Sequence, residues 1–381
     1  MARNFLPDQY DLTNKFPINH NYLSDQFSDC DVIWSKIREV VVRGDFTLGR
    51  AVDDFEGRFA EMIGVRHVIG VGSGTDALFL SLKAIGVGDG DEVITTPFTF
   101  YATIGAIVTA GARPVFVDIG NDYNLDVSKI EAAITPRTKA ILPVHWSGKP
   151  CSMDVICDIA KRNGIEVVED ACHAILASYK GRPAGGFGIA GCFSMHPLKN
   201  LNVWGDGGVI CTNDDAFAHK LRLMRNHGLV GRDTCEIFAY NSRLDTVQAV
   251  VAGHLLDKIQ HITDRRIANA AYLDQGLSQI PSVTIPPRDN SEVRQVFHIY
   301  SLLFDRRDDL QGYLMDRGID AKIHYPLPMH LQPAAATFGY KAGDFPECEA
   351  TAAMTLSLPV HEFITKQDCD EMIRAVREFY S

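Results

Sequence analysis

Hydrophobic positions along the chain follow two rhythms. Over 30–43, "CDVIWSKIREVVVR", apolar residues recur at helical spacing and predict a helix. "GDFTLG" breaks it, and "RAVDDFEGRFAEMIG" predicts a second. From "HVIGVG" onward, short β-branched runs alternate with helical patterns. The strands are "HVIGVG", "DEVITTP", "RPVFVDI", "KAILPVH" and "IEVVEDA"; the helices include "GTDALFLSLKAIG", "FYATIGAIVTAG" and "MDVICDIAKRNG". Strands that are apolar throughout, joined by helices, predict a mostly parallel sheet covered on both faces. Residues 1–30 read as irregular.

Near 190 the rhythm changes. "GCFSM" and "GGVICT" predict two strands bracketing a loop, and helices are expected at about 214–227 and 243–280. After "IPSVTIPP" at 280–287 the chain restarts as a smaller α+β unit. It has strands at "FHIYSLLF" and "DAKIHYP", a helix over 307–318, and a last helix opening at Thr365, where Asp368 completes a capping-box pattern. The predicted organisation is an α/β domain over 1–260 and a smaller C-terminal α+β domain over 261–381.

At 381 residues the chain is long enough for two such units, and 46% hydrophobic residues can fill two cores. A net charge of −11 argues against nucleic acid or an anionic membrane as partner. No apolar run reaches the roughly 18–20 residues that cross a bilayer. The opening "MARNFLPDQYDLTNKF" lacks the apolar centre of a secretory signal. Nine scattered cysteines without a C-x-x-C read as reduced thiols of a cytoplasmic protein, with Cys172 and Cys192 as core filler and no metal site.

Three segments carry candidate chemistry. In "VIGVGSGTDALF" a strand ends in glycines and a helix starts at once, which is either a tight turn or a phosphate seat on a helix N-terminus. A dinucleotide reading of Gly70, Gly72 and Gly74 fails, because the acids Asp89 and Asp91 precede the next strand instead of ending it. In "IEVVEDACHA", Asp170 follows a buried strand, either as a helix N-cap or as a partner for a protonated ring nitrogen. His173 beside it carries a weaker signal. In "FSMHPLKNLNVWGDGG", Lys199 is either a solvated cation or a desolvated amine able to form a Schiff base. Together a phosphate seat, a pyridinium partner and an amine are what pyridoxal 5'-phosphate requires.

These residues carry a resemblance. The chain resembles the DegT/DnrJ/EryC1 family of sugar aminotransferases over nearly its whole length. The matching stretches are "GSGTDAL", "GDEVITTPFTFYAT", "ARPVFVDI", "VVEDACHA", "FSMHPLKNL", "GDGGVI", "NSRLDTVQA" and "HYPLPMH", in the family's order. The resemblance implies the type I (aspartate aminotransferase) fold and pyridoxal phosphate as cofactor. It implies that Lys199 holds the cofactor aldehyde and moves protons, that Asp170 keeps the ring nitrogen protonated, and that Gly74, Thr75 and Ser194 bind the phosphate. Phe100 would stack on the ring and His173 would stand beside it. Asn241 would reach the phosphate of a neighbouring subunit, making a homodimer with shared active sites. His324, Tyr325 and His330 would lie near the sugar.

The reaction implied is amino transfer from L-glutamate to a keto sugar. The acceptor looks closest to 8-oxo-3-deoxy-D-manno-octulosonate, giving an 8-amino sugar for lipopolysaccharide, with Arg243 and His330 as cations for its carboxylate. The alternative acceptor is a nucleotide-linked 3- or 4-keto-6-deoxy hexose. A sugar dehydratase is the alternative reaction, disfavoured because relatives of that kind replace the lysine with histidine. A regulator with a degraded site is disfavoured because every expected cofactor contact is present. Two residues depart from the family pattern: Trp146 and Trp204, read either as walls of an unusual sugar pocket or as core.

Overall fold

In the computed structural model, which describes residues 16–288 and 291–381, the alternating patterns form a seven-stranded sheet. Its strands are β1 (His67–Val71), β2 (Glu92–Thr95), β3 (Arg113–Phe116), β4 (Thr138–Ile141), β5 (Glu166–Asp170), β6 (Ala190–Ser194) and β7 (Gly208–Thr212). Their spatial order is β1-β7-β6-β5-β4-β2-β3. The first 15 residues of the stretch read as irregular lie outside the described residues; within 16–30, Leu23–Gln26 forms one helical turn.

Both faces of the sheet are apolar, and helices cover each. On one side are α1 (Asp31–Arg43) and α2 (Arg50–Ile63); on the other is α3 (Gly74–Ala84). The chain continues through α4 (Tyr101–Thr109), α5 (Met153–Asn163), α6 (Asp215–Met224) and α7 (Thr246–Leu256). The period-2 alternation of a strand explains the layering. Val209 and Cys211 of β7 enter the core with Phe55 and Phe59 of α2, while Ile210 between them enters the core with Leu78 of α3 and Leu221 of α6.

Strands β2 to β6 pair in parallel, and β7 runs antiparallel to both its neighbours. Two reversals leave β1 pointing the same way as β5 and β6. The C-terminal ends of these three strands therefore share one sheet edge, where open α/β sheets place ligands. The turn after β1, Asp170 and Ser194 all sit there.

The smaller unit has a three-stranded antiparallel sheet of β8 (Val283–Thr284), β9 (Tyr300–Phe304) and β10 (Thr355–Leu358). Helices α8 (Ile259–Leu277), α9 (Arg307–Asp316) and α11 (Lys366–Phe379) pack on it, with α10 (Pro346–Met354) leading into β10. The capping box at Thr365 and Asp368 forms in full. The expected division at 260 falls in the first turn of α8. Ile259 and Ile262 of that helix pack in the large core, whereas Ala270, Leu273 and Leu277 pack in the small one.

Three local expectations differ from the structure. The helix expected over 243–280 is two helices, α7 and α8. They are joined at Asp257–Lys258, where the Lys258 N–H bonds the Leu255 carbonyl in a tightened turn and Lys258 Nζ pairs with Asp29 at 2.6 Å. "DAKIHYP" makes one bridge, Lys322 to Ser357, with Ile319 just before it bridging Ile18, since Pro326 and the nearby Pro328 have no N–H to extend a ladder. β10 and α10 have no counterpart in the pattern reading, because "TAAMTLSL" is apolar without a clear period.

Candidate active site

A cavity of about 290 Å³ opens at the shared edge of β1, β5 and β6, closed from the other side by the smaller unit and by residues 18–22. Its floor begins with the turn after β1. A Cβ on Gly74 would lie 2.5 Å from the Cβ of Ser194, so only glycine lets the turn press against β6. Ser73 caps α3 by accepting the Asp76 N–H at 3.0 Å. The N–H groups of Gly74 and Thr75, in the first turn, have no intrahelical acceptor and face the positive end of the helix. With the Ser194 hydroxyl they make an anion seat, and all three residues line the cavity.

Asp170 ends β5 and is buried. Its Oδ2 accepts the Thr103 hydroxyl at 2.8 Å, and Thr103 in turn is 2.7 Å from the Thr99 hydroxyl. Its Oδ1 accepts the Cys172 N–H at 3.2 Å. No helix follows, so the capping alternative is excluded: this is a turn that aims a carboxylate into the cavity. His173 lines the same wall, packed between Trp146 and His298, with ring centroids at 5.6 and 4.4 Å. Its Nδ1 is buried without a partner among the described residues. Burial holds its pKa well below the usual value.

Lys199 is the desolvated amine. Burial lowers its pKa, and the nearby Cys172 and Asp170 only partly offset that. Its loop is pinned: the Lys199 N–H bonds the His196 carbonyl at 2.8 Å, and its own carbonyl accepts Asn202 Nδ2 at 3.0 Å and the Tyr22 hydroxyl at 3.4 Å. Phe100 stands half-exposed at the rim, its ring 5.7 Å from that of Tyr325. His324 and Tyr325 line the opposite wall, with His324 Nδ1 at 3.0 Å from the Ser357 hydroxyl.

Other expected site residues fall elsewhere. Trp204 does not line the cavity. It packs edge-on to Phe27 at 5.5 Å and against Trp34 at 5.0 Å, with its backbone bonded to Gln248. His330 is fully buried in a 3₁₀ turn, with Nε2 3.0 Å from Glu349, so it fastens the segment instead of meeting sugar. Arg243 bonds Asn226 Oδ1 at 3.0 Å outside the cavity. Asn241 is exposed and off the cavity of its own chain. Trp146 is core: fully buried, it backs His173 and Tyr325 from behind. Trp204→Ala and His330→Ala are each expected to lower the unfolding free energy by about 1–3 kcal/mol in urea titrations. The KM for the acceptor should stay within about twofold.

Sequence reasoning missed Thr103, His20, Tyr22, Arg266 and His298. Only Thr103, inside "TFYAT", had a local signal; the others reach the cavity from distant segments. Several of the imidazoles there are held neutral. Burial pulls His20, His324 and His361 down to about 3. Below about pH 6.5 the unfolded chain binds protons that the folded chain refuses. Stability is therefore complete above that pH and falls as pH drops toward 3. Urea unfolding at pH 5 against pH 7.5 should show a loss of about 2 kcal/mol per imidazole.

An anion seat, a carboxylate fixed by two hydrogen bonds, a desolvated lysine and an orphaned imidazole nitrogen fit pyridoxal phosphate. The comparisons agree. The pattern of the DegT/DnrJ/EryC1/StrS aminotransferase family matches residues 31–377. The chain is 41% identical over 361 residues to a "pleiotropic regulatory protein" of Geobacillus stearothermophilus, covering 94% of this chain and 97% of that one. It is 40% identical over 344 residues to dTDP-3-amino-3,4,6-trideoxy-alpha-D-glucose transaminase of Streptomyces venezuelae, covering 90% of each. The X-ray structure of S. venezuelae DesV in complex with a ketimine intermediate superposes with a TM-score of 0.92 at 37% identity, over 96% of this chain and 99% of that one. The fold is thus the type I transferase fold, and no helix among the described residues is long and apolar enough to cross a membrane. With Lys199 and Asp170 lining one cavity as that chemistry needs, the chain belongs to the DegT/DnrJ/EryC1/StrS family and is a pyridoxal-phosphate-dependent aminotransferase.

Proposed function

We propose that this enzyme carries an amino group from L-glutamate to the keto carbon of a nucleotide-linked sugar, working as a homodimer. The observation that carries the reading is the placement of Lys199 and Asp170 on the lining of one cavity. The acceptor class rests on the transaminase of a dTDP-linked sugar to which the chain is 40% identical.

The cofactor supplies an aldehyde and an electron-withdrawing ring when bound. Each residue then has a defined task. Gly74, Thr75 and Ser194 hold the phosphate through N–H and O–H donors. Asp170 holds a proton on the ring nitrogen. His173 would offer its unpartnered Nδ1 to the cofactor, and Phe100, at the rim, would cover it. Lys199, its pKa lowered by desolvation, would bind the aldehyde and, in each half-reaction, would move a proton between the substrate carbon and the cofactor carbon.

The dimer is proposed from the segment 241–243. Ser242 ties it to the phosphate turn, accepting the Gly72 N–H at 3.2 Å and donating to Asp76 at 2.7 Å. Its neighbour Asn241 stays exposed, able to reach a second subunit's phosphate.

The test is absorption spectroscopy of the purified protein. Adding glutamate should bleach a yellow band, and adding dTDP-linked 3- or 4-keto-6-deoxyglucose should restore it with formation of the amino sugar. A protein that stays colourless with added cofactor sinks the reading. 8-Oxo-3-deoxy-D-manno-octulosonate is the second acceptor to try. The cavity wall carries a cation, Lys322, for its carboxylate in place of Arg243 and His330.

A further inference from the structure

Residues 18–22 cross the mouth of the cavity as a strap bolted to the smaller unit. The Ile18 N–H bonds the Gly318 carbonyl at 3.1 Å, and the Ile18 carbonyl accepts the Asp320 N–H at 2.8 Å. The His20 N–H bonds Asp320 Oδ2 at 3.2 Å. His361 Nε2 donates to the Asn19 carbonyl at 2.7 Å, and the Tyr22 hydroxyl accepts Arg266 Nη2 at 2.8 Å. These bonds hold the strap's backbone at Ile18, Asn19 and His20 and the Tyr22 hydroxyl in place.

His20 and Tyr22 face the cavity from this strap. The ring of His20 has a forced tautomer. Its Nδ1 bonds the backbone carbonyl of Asp320, and a carbonyl only accepts. Nδ1 therefore carries the hydrogen, and Nε2 on the opposite edge is a lone-pair acceptor. Among the described residues none bonds that nitrogen. Neighbouring imidazoles differ. His361 has both nitrogens engaged, donating to Asn19 and accepting the Phe363 N–H. His324 meets the Ser357 hydroxyl, which either donates or accepts, so its tautomer is not fixed.

We propose that His20 is a specificity-determining residue of the acceptor subsite, where Nε2 accepts a hydrogen bond from a sugar hydroxyl. The inference rests on the sugar aminotransferase reading above and adds the chemical class of the group read. The floor of the cavity, with Gly74, Asp170 and Lys199, belongs to the cofactor, so the strap faces whatever substrate lies above it. A lone pair on neutral imidazole repels a carboxylate and attracts a hydroxyl. Glutamate, whose recognition needs cations for its carboxylates, gains nothing from this nitrogen; a sugar does. The charged groups around His20 are Asp320, Lys322 and Arg266, and desolvation in this setting pulls its pKa down to about 3, keeping the acceptor form at working pH.

The experiment separates the two half-reactions in the holoenzyme. Conversion of the cofactor by glutamate is followed by absorbance, and its return by dTDP-4-keto-6-deoxyglucose and by 8-oxo-3-deoxy-D-manno-octulosonate is followed separately. His20→Phe is expected to raise the KM for the accepted keto sugar about tenfold or more, with the glutamate half-reaction within about twofold of wild type. His20→Gln, whose amide oxygen is also an acceptor, should recover most of that loss. Equal losses in both half-reactions in both variants would assign His20 a role only in seating the strap, and an unchanged sugar KM would likewise overturn the proposal. A wild-type enzyme that is converted by glutamate but passes the amine to neither sugar overturns this inference together with the sugar reading; wild-type turnover with unaffected variants overturns this inference alone.

Discussion

Lys199→Ala is expected to abolish turnover, by about 10³-fold or more, while the protein stays folded. Two contributions are removed at once: the amine that bonds the cofactor aldehyde, and the base that moves a proton between carbons. Positioned proton transfer alone accounts for about 10²–10⁴ in rate. Folding should survive, because the Lys199 loop is held by backbone groups that the substitution leaves in place: the bonds to His196, Asn202 and Tyr22. Removing a buried amine also removes a desolvation cost. Lys199→Arg should be as inactive, since a guanidinium stays protonated and does not add to aldehydes. Borohydride treatment gives the second readout. It should fix the cofactor covalently to wild type and to neither variant, as mass spectrometry of the intact protein would report. More than a tenth of wild-type turnover in Lys199→Ala would remove the lysine from the chemistry.

What made Lys199 legible in the sequence was its setting, not its type. Two apolar strands bracket a glycine-bounded loop, and such a loop between buried strands has little water to offer a cation. Asp170 was legible for a similar reason, as an acid closing a fully apolar strand. The phosphate seat was only half legible. The turn after β1 could be read from its glycines, but that Gly74 presses on Ser194 is a contact across 120 positions, created by the placement of β7 between β1 and β6. The substrate wall was hardly legible. His20, Arg266 and His298 come from three separate segments: Arg266 bonds the His298 carbonyl directly, and His20 joins them through a strap that pairs with Ile319. Trp204 and His330 misled for opposite reasons. Tryptophan suits sugar stacking by chemistry, but Phe27 and Trp34 claim its ring. His330 is near the cavity in sequence, but the 3₁₀ turn after Pro328 rotates it toward Glu349.

Asp170→Asn is expected to cut kcat by about 10²–10³ while keeping the fold and most of the cofactor binding. The substitution is nearly isosteric. An amide oxygen can still accept from Thr103 or from the Cys172 N–H, but its NH₂ cannot accept from the other, so one of the two fixing bonds is lost. The larger loss is charge. A neutral amide cannot hold a proton on the cofactor ring nitrogen, and the ring then withdraws electrons from the reacting carbon far less strongly. Loss of one preorganised electrostatic partner in a desolvated site costs about 10²–10³ in rate. Two controls separate this from mere displacement. Thr103→Val removes a hydrogen bond to Asp170 but leaves its charge, so kcat should fall by less than about tenfold. Lys199 provides the other control. Asp170 is one of the charges that raise its pKa, so removing the carboxylate should push the lysine pKa lower still. The acid limb of the pH–rate profile that reports the free lysine should therefore move to lower pH in Asp170→Asn and stay put in Thr103→Val. A fall in kcat with no shift of that limb would mean that the carboxylate lies farther from the lysine in the working enzyme than this cavity places it.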